Sequence, residues 1–191
     1  MIFKIFPEDP DFYSEEIRPI VKQTIERHGM EEWQVAVTTH ELHGHMGIYS
    51  ILGVKMGMAA LDYLKVKKGS LIIYSEAGTN PPVSCMNDGL QVSTGATFGH
   101  GQIISNPTKN PKAAACFKYK NTTLHVKPKE EIENKLKKEI TEAIEKFGHS
   151  PQYWNHIKNL ALTCWLEWDR SQIFEVQEFD AENHISYKLF H

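Results

Sequence analysis

Residues 48–65 narrow the possible folds more than any other stretch. Ile51, Leu52, Met56, Ala59, Ala60 and Tyr63 recur at helical spacing, and Gly53 and Gly57 interrupt them one turn apart. The recurrence predicts a central helix. Glycine costs about 1 kcal/mol relative to alanine inside a helix. Two of them therefore predict a neighbour packed too close for a side chain: a partner helix, from a second subunit or from the same chain. Directly before this run stands His40-Glu41-Leu42-His43-Gly44-His45-Met46-Gly47. If Gly44 is extended, the side chains of His43 and His45 point to one side, because strand periodicity is two. Neutral imidazole is the commonest metal ligand, so such a pair suits a divalent ion. The competing reading is a tight turn whose histidines bond backbone.

A second block strengthens the metal reading. Residues 84–95, Ser-Cys-Met-Asn-Asp-Gly-Leu-Gln-Val-Ser-Thr-Gly, predict a short helix with Ser84 as N-cap and Gly95 past its end. Cys85 then falls in the first helical turn, where the helix dipole favours thiolate and lowers the thiol pKa. It is the best of the three cysteines to join His43 and His45 as a metal ligand. Asp88, one turn on, is placed to orient a histidine or to carry a proton. Against this, a free cysteine is usually a small buried thiol.

These residues resemble a known family. His43-Gly44-His45, Leu52-Gly53-Val54-Lys55-Met56-Gly57, Cys85-Met86-Asn87-Asp88-Gly89-Leu90-Gln91-Val92 and Gly95-Ala96-Thr97-Phe98-Gly99-His100-Gly101 are similar, in order and spacing, to the FmdE family, named for a component of formylmethanofuran dehydrogenase. Residues 172–176 resemble the segment that closes the family's core domain. The resemblance implies an α+β core domain, dimeric, with a metal or catalytic site at the His and Cys positions. The chain departs from the family where many members carry Cys-Pro-Gly, having Gly47, Ile48 and Tyr49 there. It also has Ala96 and His100 where many carry a cysteine and a lysine, and it lacks the four-cysteine zinc finger of many relatives. Cys85 is left as the sole sulfur candidate.

The ligand set expected is therefore His43, His45 and Cys85. Zinc is the first choice, since mixed N and S ligands with an open position describe catalytic zinc, and nickel or iron can use the same donors. Such an ion activates water or polarises a carbonyl, with Asp88, or else His40, moving the proton. Hydrolysis or one-carbon acyl transfer would follow, the formyl link coming from the resemblance alone. The alternative is a non-catalytic metal-handling or accessory protein of a molybdenum or tungsten enzyme system. A further reading keeps the histidines purely structural.

Composition sets the outer bounds. Hydrophobic content of 41% with 24% charged residues predicts an ordinary globular chain. We expect one α+β domain over residues 1–191, a mixed or antiparallel sheet packed with helices, its motif region at 40–102 and its core completed by 128–180. A net charge of −3 without a basic stripe argues against nucleic acid. The three cysteines are odd in number and widely spaced, which disfavours a disulfide framework and fits a reducing cytoplasm. The first seven residues are too short for a signal peptide, and no apolar run reaches spanning length, so neither secretion nor a membrane is expected. Zinc-protease, nucleophile-elbow, paired-cysteine, phosphate-loop and dinucleotide fingerprints are all missing.

Local patterns fill in the rest. A helix is expected over 11–28, with Pro19 either kinking it or marking its true first turn. Residues 33–39 leave helix and strand open. A buried strand is expected at 70–75, and a hairpin over 113–127 turning near Asn121-Thr122, with His125 an ordinary strand residue. Amphipathic helices follow at 128–147 and from the Ser150 N-cap and Pro151 onward. The second carries Trp154, Trp165 and Trp168 as core or interface, and Cys164 as an inert thiol. A strand at 173–179 is expected at a sheet edge; the tail after 180 has no clear pattern.

Overall fold

The glycine-punctuated run does fold as a helix, and the other elements assemble around it. In a computed structural model that describes residues 5–180, the chain order is α1 (Val21–His28), α2 (Met30–His43), α3 (Ile48–Leu64), β1 (Ile72–Ser75), α4 (Met86–Thr94), β2 (Ile103–Ser105), β3 (Ala115–Tyr119), β4 (Thr122–Pro128), α5 (Glu130–Phe147), α6 (Pro151–Glu167) and β5 (Phe174–Asp180). The sheet order is β2-β1-β3-β4-β5, with β1 and β2 parallel and the remaining pairs antiparallel. This is the expected α+β architecture with a mixed sheet, and β5 is at its edge. The patternless tail lies outside the described residues, as do the first four. No helix among the described residues is long and apolar enough to cross a membrane.

α3 is buried on nearly every side, with Ile51, Leu52, Val54 and Met56 at 0% exposure. It packs on α2, α4, α6 and β4. The close partner demanded by its glycines is α4 of the same chain: a Cβ on Gly53 would lie 2.1 Å from the Met86 carbonyl oxygen. The glycine spacing therefore gives no support to a second copy of the chain. Strand alternation turns Ile73, Phe117, Leu124 and Val126 into the core. It leaves Tyr74, Cys116, Lys118, His125 and Lys127 on the opposite face, half-buried or exposed.

Several local expectations change. The helix predicted over 11–28 is broken: single 3₁₀ turns at Pro10–Phe12 and Arg18–Ile20 precede α1, so Pro19 belongs to a first turn and kinks nothing. The undecided 33–39 segment is helical, within α2. β2 was not anticipated, because three residues after a glycine loop carry too little periodicity to register. The hairpin turns one residue earlier than expected, at Lys120-Asn121, with Tyr119 opposite Thr122 and Lys120 at φ 51°. Ser150 caps α6 as expected, accepting from the Tyr153 amide. Trp165 and Trp168 are core, Trp165 stacking on Trp33 at 4.6 Å, while Trp154 is 59% exposed. Burial raises the Cys164 thiol to about 12, which agrees with an inert role.

Candidate metal centre

His43 is the last residue of α2, and Gly44 ends that helix in the left-handed conformation (φ 80°, ψ −3°) with its amide bonded to the His40 carbonyl. Gly44 is thus not extended, and strand alternation is not what pairs the histidines. The αL cap, which glycine takes without penalty, reverses the chain and brings the His43 and His45 rings to 4.3 Å between centroids. The expected juxtaposition holds by a different mechanism. Gly47 is then the N-cap of α3.

α4 supplies the other side. Asp88, in its first turn, approaches His43 with Oδ2 2.7 Å from Nδ1. An ionised carboxylate only accepts, so in this contact Nδ1 carries the proton and Nε2 of neutral His43 holds the free lone pair. That Nε2 is buried and has no hydrogen-bond partner. A carboxylate that fixes the tautomer while the other nitrogen is left open is the arrangement of a metal-ligating histidine, and buried polar atoms rarely stay unpaired without a reason.

Cys85 differs from expectation. It closes a 3₁₀ turn (Val83–Cys85) and is itself the N-cap of α4, and Ser84 makes no capping bond. Its thiol is held above the ordinary value, first by burial and then by the neighbouring Asp88. The helix dipole does not lower it here: a half-buried thiol beside a carboxylate loses more from desolvation and like charge than one short helix returns. A bound cation would oppose both effects and favour the thiolate.

His43, His45 and Cys85 line one cavity of about 970 Å³, whose other walls include Tyr49, Ile144 and Trp154. It is largely apolar, of a size that holds a small molecule. The donor atoms of His43, His45 and Cys85 do not all lie within 4.8 Å of one another; among the described residues that spacing is met by Glu76, Cys116 and His125. The sequence reading missed that second cluster; His125 is in a strand as expected, and its Nε2 contacts Glu76 Oε1 at 2.7 Å. Cys116 and His125 alternate with core residues on neighbouring strands, which was readable, but Glu76 joins them only through the sheet order. His100 is exposed on the loop after α4.

His40 stands apart. It does not line the cavity; it packs against Trp165 at 5.2 Å, and both ring nitrogens are buried without partners. Burial, with His43 and His45 adding to it, lowers its pKa from 6.5 to about 3, so it is neutral near pH 7. The unfolded chain binds a proton that the folded chain refuses between these two values. The stability His40 contributes is therefore complete above pH 6.5 and is lost as pH falls toward 3. Wild type should lose about 1.4 kcal/mol per pH unit more than His40→Leu across that window, measured by urea unfolding at a series of pH values. Parallel curves would remove His40 as the acid-sensitive group.

Comparison with known proteins gives three findings. A family model described as "FmdE, Molybdenum formylmethanofuran dehydrogenase operon" matches residues 42–175. A "Probable S-adenosyl-L-methionine-binding protein" of Archaeoglobus fulgidus is 33% identical over 66 residues, 34% of this chain and only 18% of that protein's length. A crystallised "tungsten formylmethanofuran dehydrogenase subunit e (fmde)-like protein" from Syntrophus aciditrophicus is similar at 18% identity and TM-score 0.48, over 78% of this chain and 72% of that one.

Proposed function

Because the chain belongs to the FmdE family, we propose that it binds one divalent transition metal, zinc first, through His43, His45 and Cys85, and uses it on a small molecule held in the adjoining cavity. The observation that carries this reading is the buried, unpartnered Nε2 of His43, whose Nδ1 is held by Asp88 at 2.7 Å. Closing the ligand set needs a small rearrangement, since the three donor atoms do not all lie within 4.8 Å of one another; His45 is exposed and the His43 and His45 rings are already 4.3 Å apart. When bound, the ion would supply Lewis acidity for hydrolysis or one-carbon acyl transfer. Asp88 keeps the His43 ring in one tautomer, and its remaining oxygen is available to a proton. The apolar walls would seat the rest of the ligand, with Tyr49, Asn155 and Lys158 among the polar groups on the lining.

The test is metal content of untagged protein. His43→Ala/Cys85→Ser is expected to hold one equivalent per chain less than wild type; equal content in two folded proteins would end the proposal. The family's association with a molybdenum formylmethanofuran dehydrogenase operon supports an accessory role as the second reading. Azide titration of the cobalt(II) form, in a Cys116→Ser background that silences the Glu76-Cys116-His125 cluster, separates the two. A shift of the visible spectrum marks an open coordination position and supports turnover, and an unmoved spectrum marks a closed carrier site.

A further inference from the structure

Across the face of the sheet turned away from the core, strand register brings Tyr74, Cys116, His125 and Gln177 into one row. Glu76 extends β1 by one residue: its amide donates to the Ala114 carbonyl and its carbonyl accepts from the Lys112 amide. Its side chain thus shares the face of Tyr74, and it reaches across β3 to His125, passing Cys116. One carboxylate oxygen, one sulfur and one imidazole nitrogen lie within 4.8 Å of one another there, all three residues half-buried.

We propose that Glu76, Cys116 and His125 form a second divalent-metal site, independent of the cavity, that takes a zinc-class ion through one oxygen, one thiolate and one imidazole nitrogen. The chemistry of the donors fits: borderline ions accept this mixture, and three protein ligands with a fourth position toward solvent is a common zinc arrangement. The positions are set by three hydrogen-bonded strands and not by a loop, so little ordering is needed. An ion would take the place of the proton shared between Glu76 Oε1 and His125 Nε2, the imidazole then carrying its one proton on Nδ1, and the Cys116 proton would leave to solvent as the sulfur–metal bond forms. Burial, with Glu76 adding to it, pushes the Cys116 thiol up to about 11, the direction a cation between them cancels. The competing cation is Lys112, whose Nζ is 3.6 Å from Glu76 Oε2; its side chain is 71% exposed and can swing away.

Cobalt(II) titration reads the site through its thiolate-to-cobalt charge-transfer band. In the His43→Ala/Cys85→Ser background the first site is gone, and we expect the band to persist at one equivalent. Adding Cys116→Ser should abolish it, and adding His125→Gln should weaken binding. A folded background variant with no band, or a band that survives Cys116→Ser, would overturn the proposal. If that background does not fold, wild type is compared with Cys116→Ser alone: one thiolate's worth of band intensity must be missing, and equal spectra refute the site. The two sites fail separately, since loss of metal on His43→Ala/Cys85→Ser concerns only the cavity.

Discussion

Replacing Lys55 with methionine is expected to lower the unfolding free energy by about 3–5 kcal/mol, the range for breaking a buried ion pair from one side. Lys55 sits inside the apolar run of α3 with 0% exposure. Its ammonium donates to Glu32 Oε1 at 2.5 Å and to the Trp168 carbonyl at 2.7 Å. Glu32, also at 0% exposure, has its other oxygen bonded to Arg170 at 2.7 Å, and Arg170 reaches on to Asp62 at 2.9 Å. Burial lowers the Lys55 pKa, with Glu32 opposing that fall. Methionine fills similar space but strands one carboxylate oxygen and one carbonyl. The network ties α2, which ends in His43, to α3 and to the segment before β5. Lys55→Met/Glu32→Gln should cost less than Lys55→Met alone, since the uncompensated charge is then gone. Guanidinium melts of wild type, the two single variants and the double variant decide it. Additive losses would mean that the pair is not coupled.

This network marks where sequence reading stops. α3, α5 and α6 were legible because their apolar residues repeat at helical spacing over several turns, and the Ser150-Pro151 start was legible from its cap chemistry. α2 was not: its inward positions include Glu32 and Thr39, polar residues that are buried, and they blur the stripe. A lysine in an apolar run reads as an irregularity until its carboxylate, 23 residues away, is seen beside it. The same holds at the candidate site. His43, His45, Cys85 and Asp88 could be named from motif spacing, but the Asp88–His43 contact joins residues 45 positions apart and needs the α3–α4 packing to exist. Glu76 could not be joined to Cys116 and His125, since nothing local says that β1 pairs with β3.

The same packing makes Gly89→Ala the other costly change, expected to destabilise by about 2–3 kcal/mol net. Alanine returns about 1 kcal/mol of helix propensity in α4, and overpacking a filled interface costs typically 1–3 kcal/mol and sometimes more. The geometry puts this case at the upper end. A Cβ on Gly89 would lie 2.2 Å from the Ser50 carbonyl oxygen, 2.5 Å from the Val54 nitrogen and 2.8 Å from the Gly53 carbonyl carbon. All three are backbone atoms of α3, so no rotamer change relieves the contact and the two helices must part. Gly57→Ala is the graded control. Its Cβ would meet Ser93 Oγ at 2.0 Å and Thr94 Cγ2 at 2.8 Å, side-chain atoms with some freedom, although the Ser93 hydroxyl donates to the Gly89 carbonyl at 2.6 Å. Gly89→Ala should therefore lower Tm more than Gly57→Ala. Because Asp88 is the adjacent residue, parting the helices also withdraws its carboxylate from His43, so metal affinity should fall with stability. A Gly89→Ala protein that melts like wild type would mean that α3 and α4 are not in backbone contact, and the Asp88–His43 geometry would go with it.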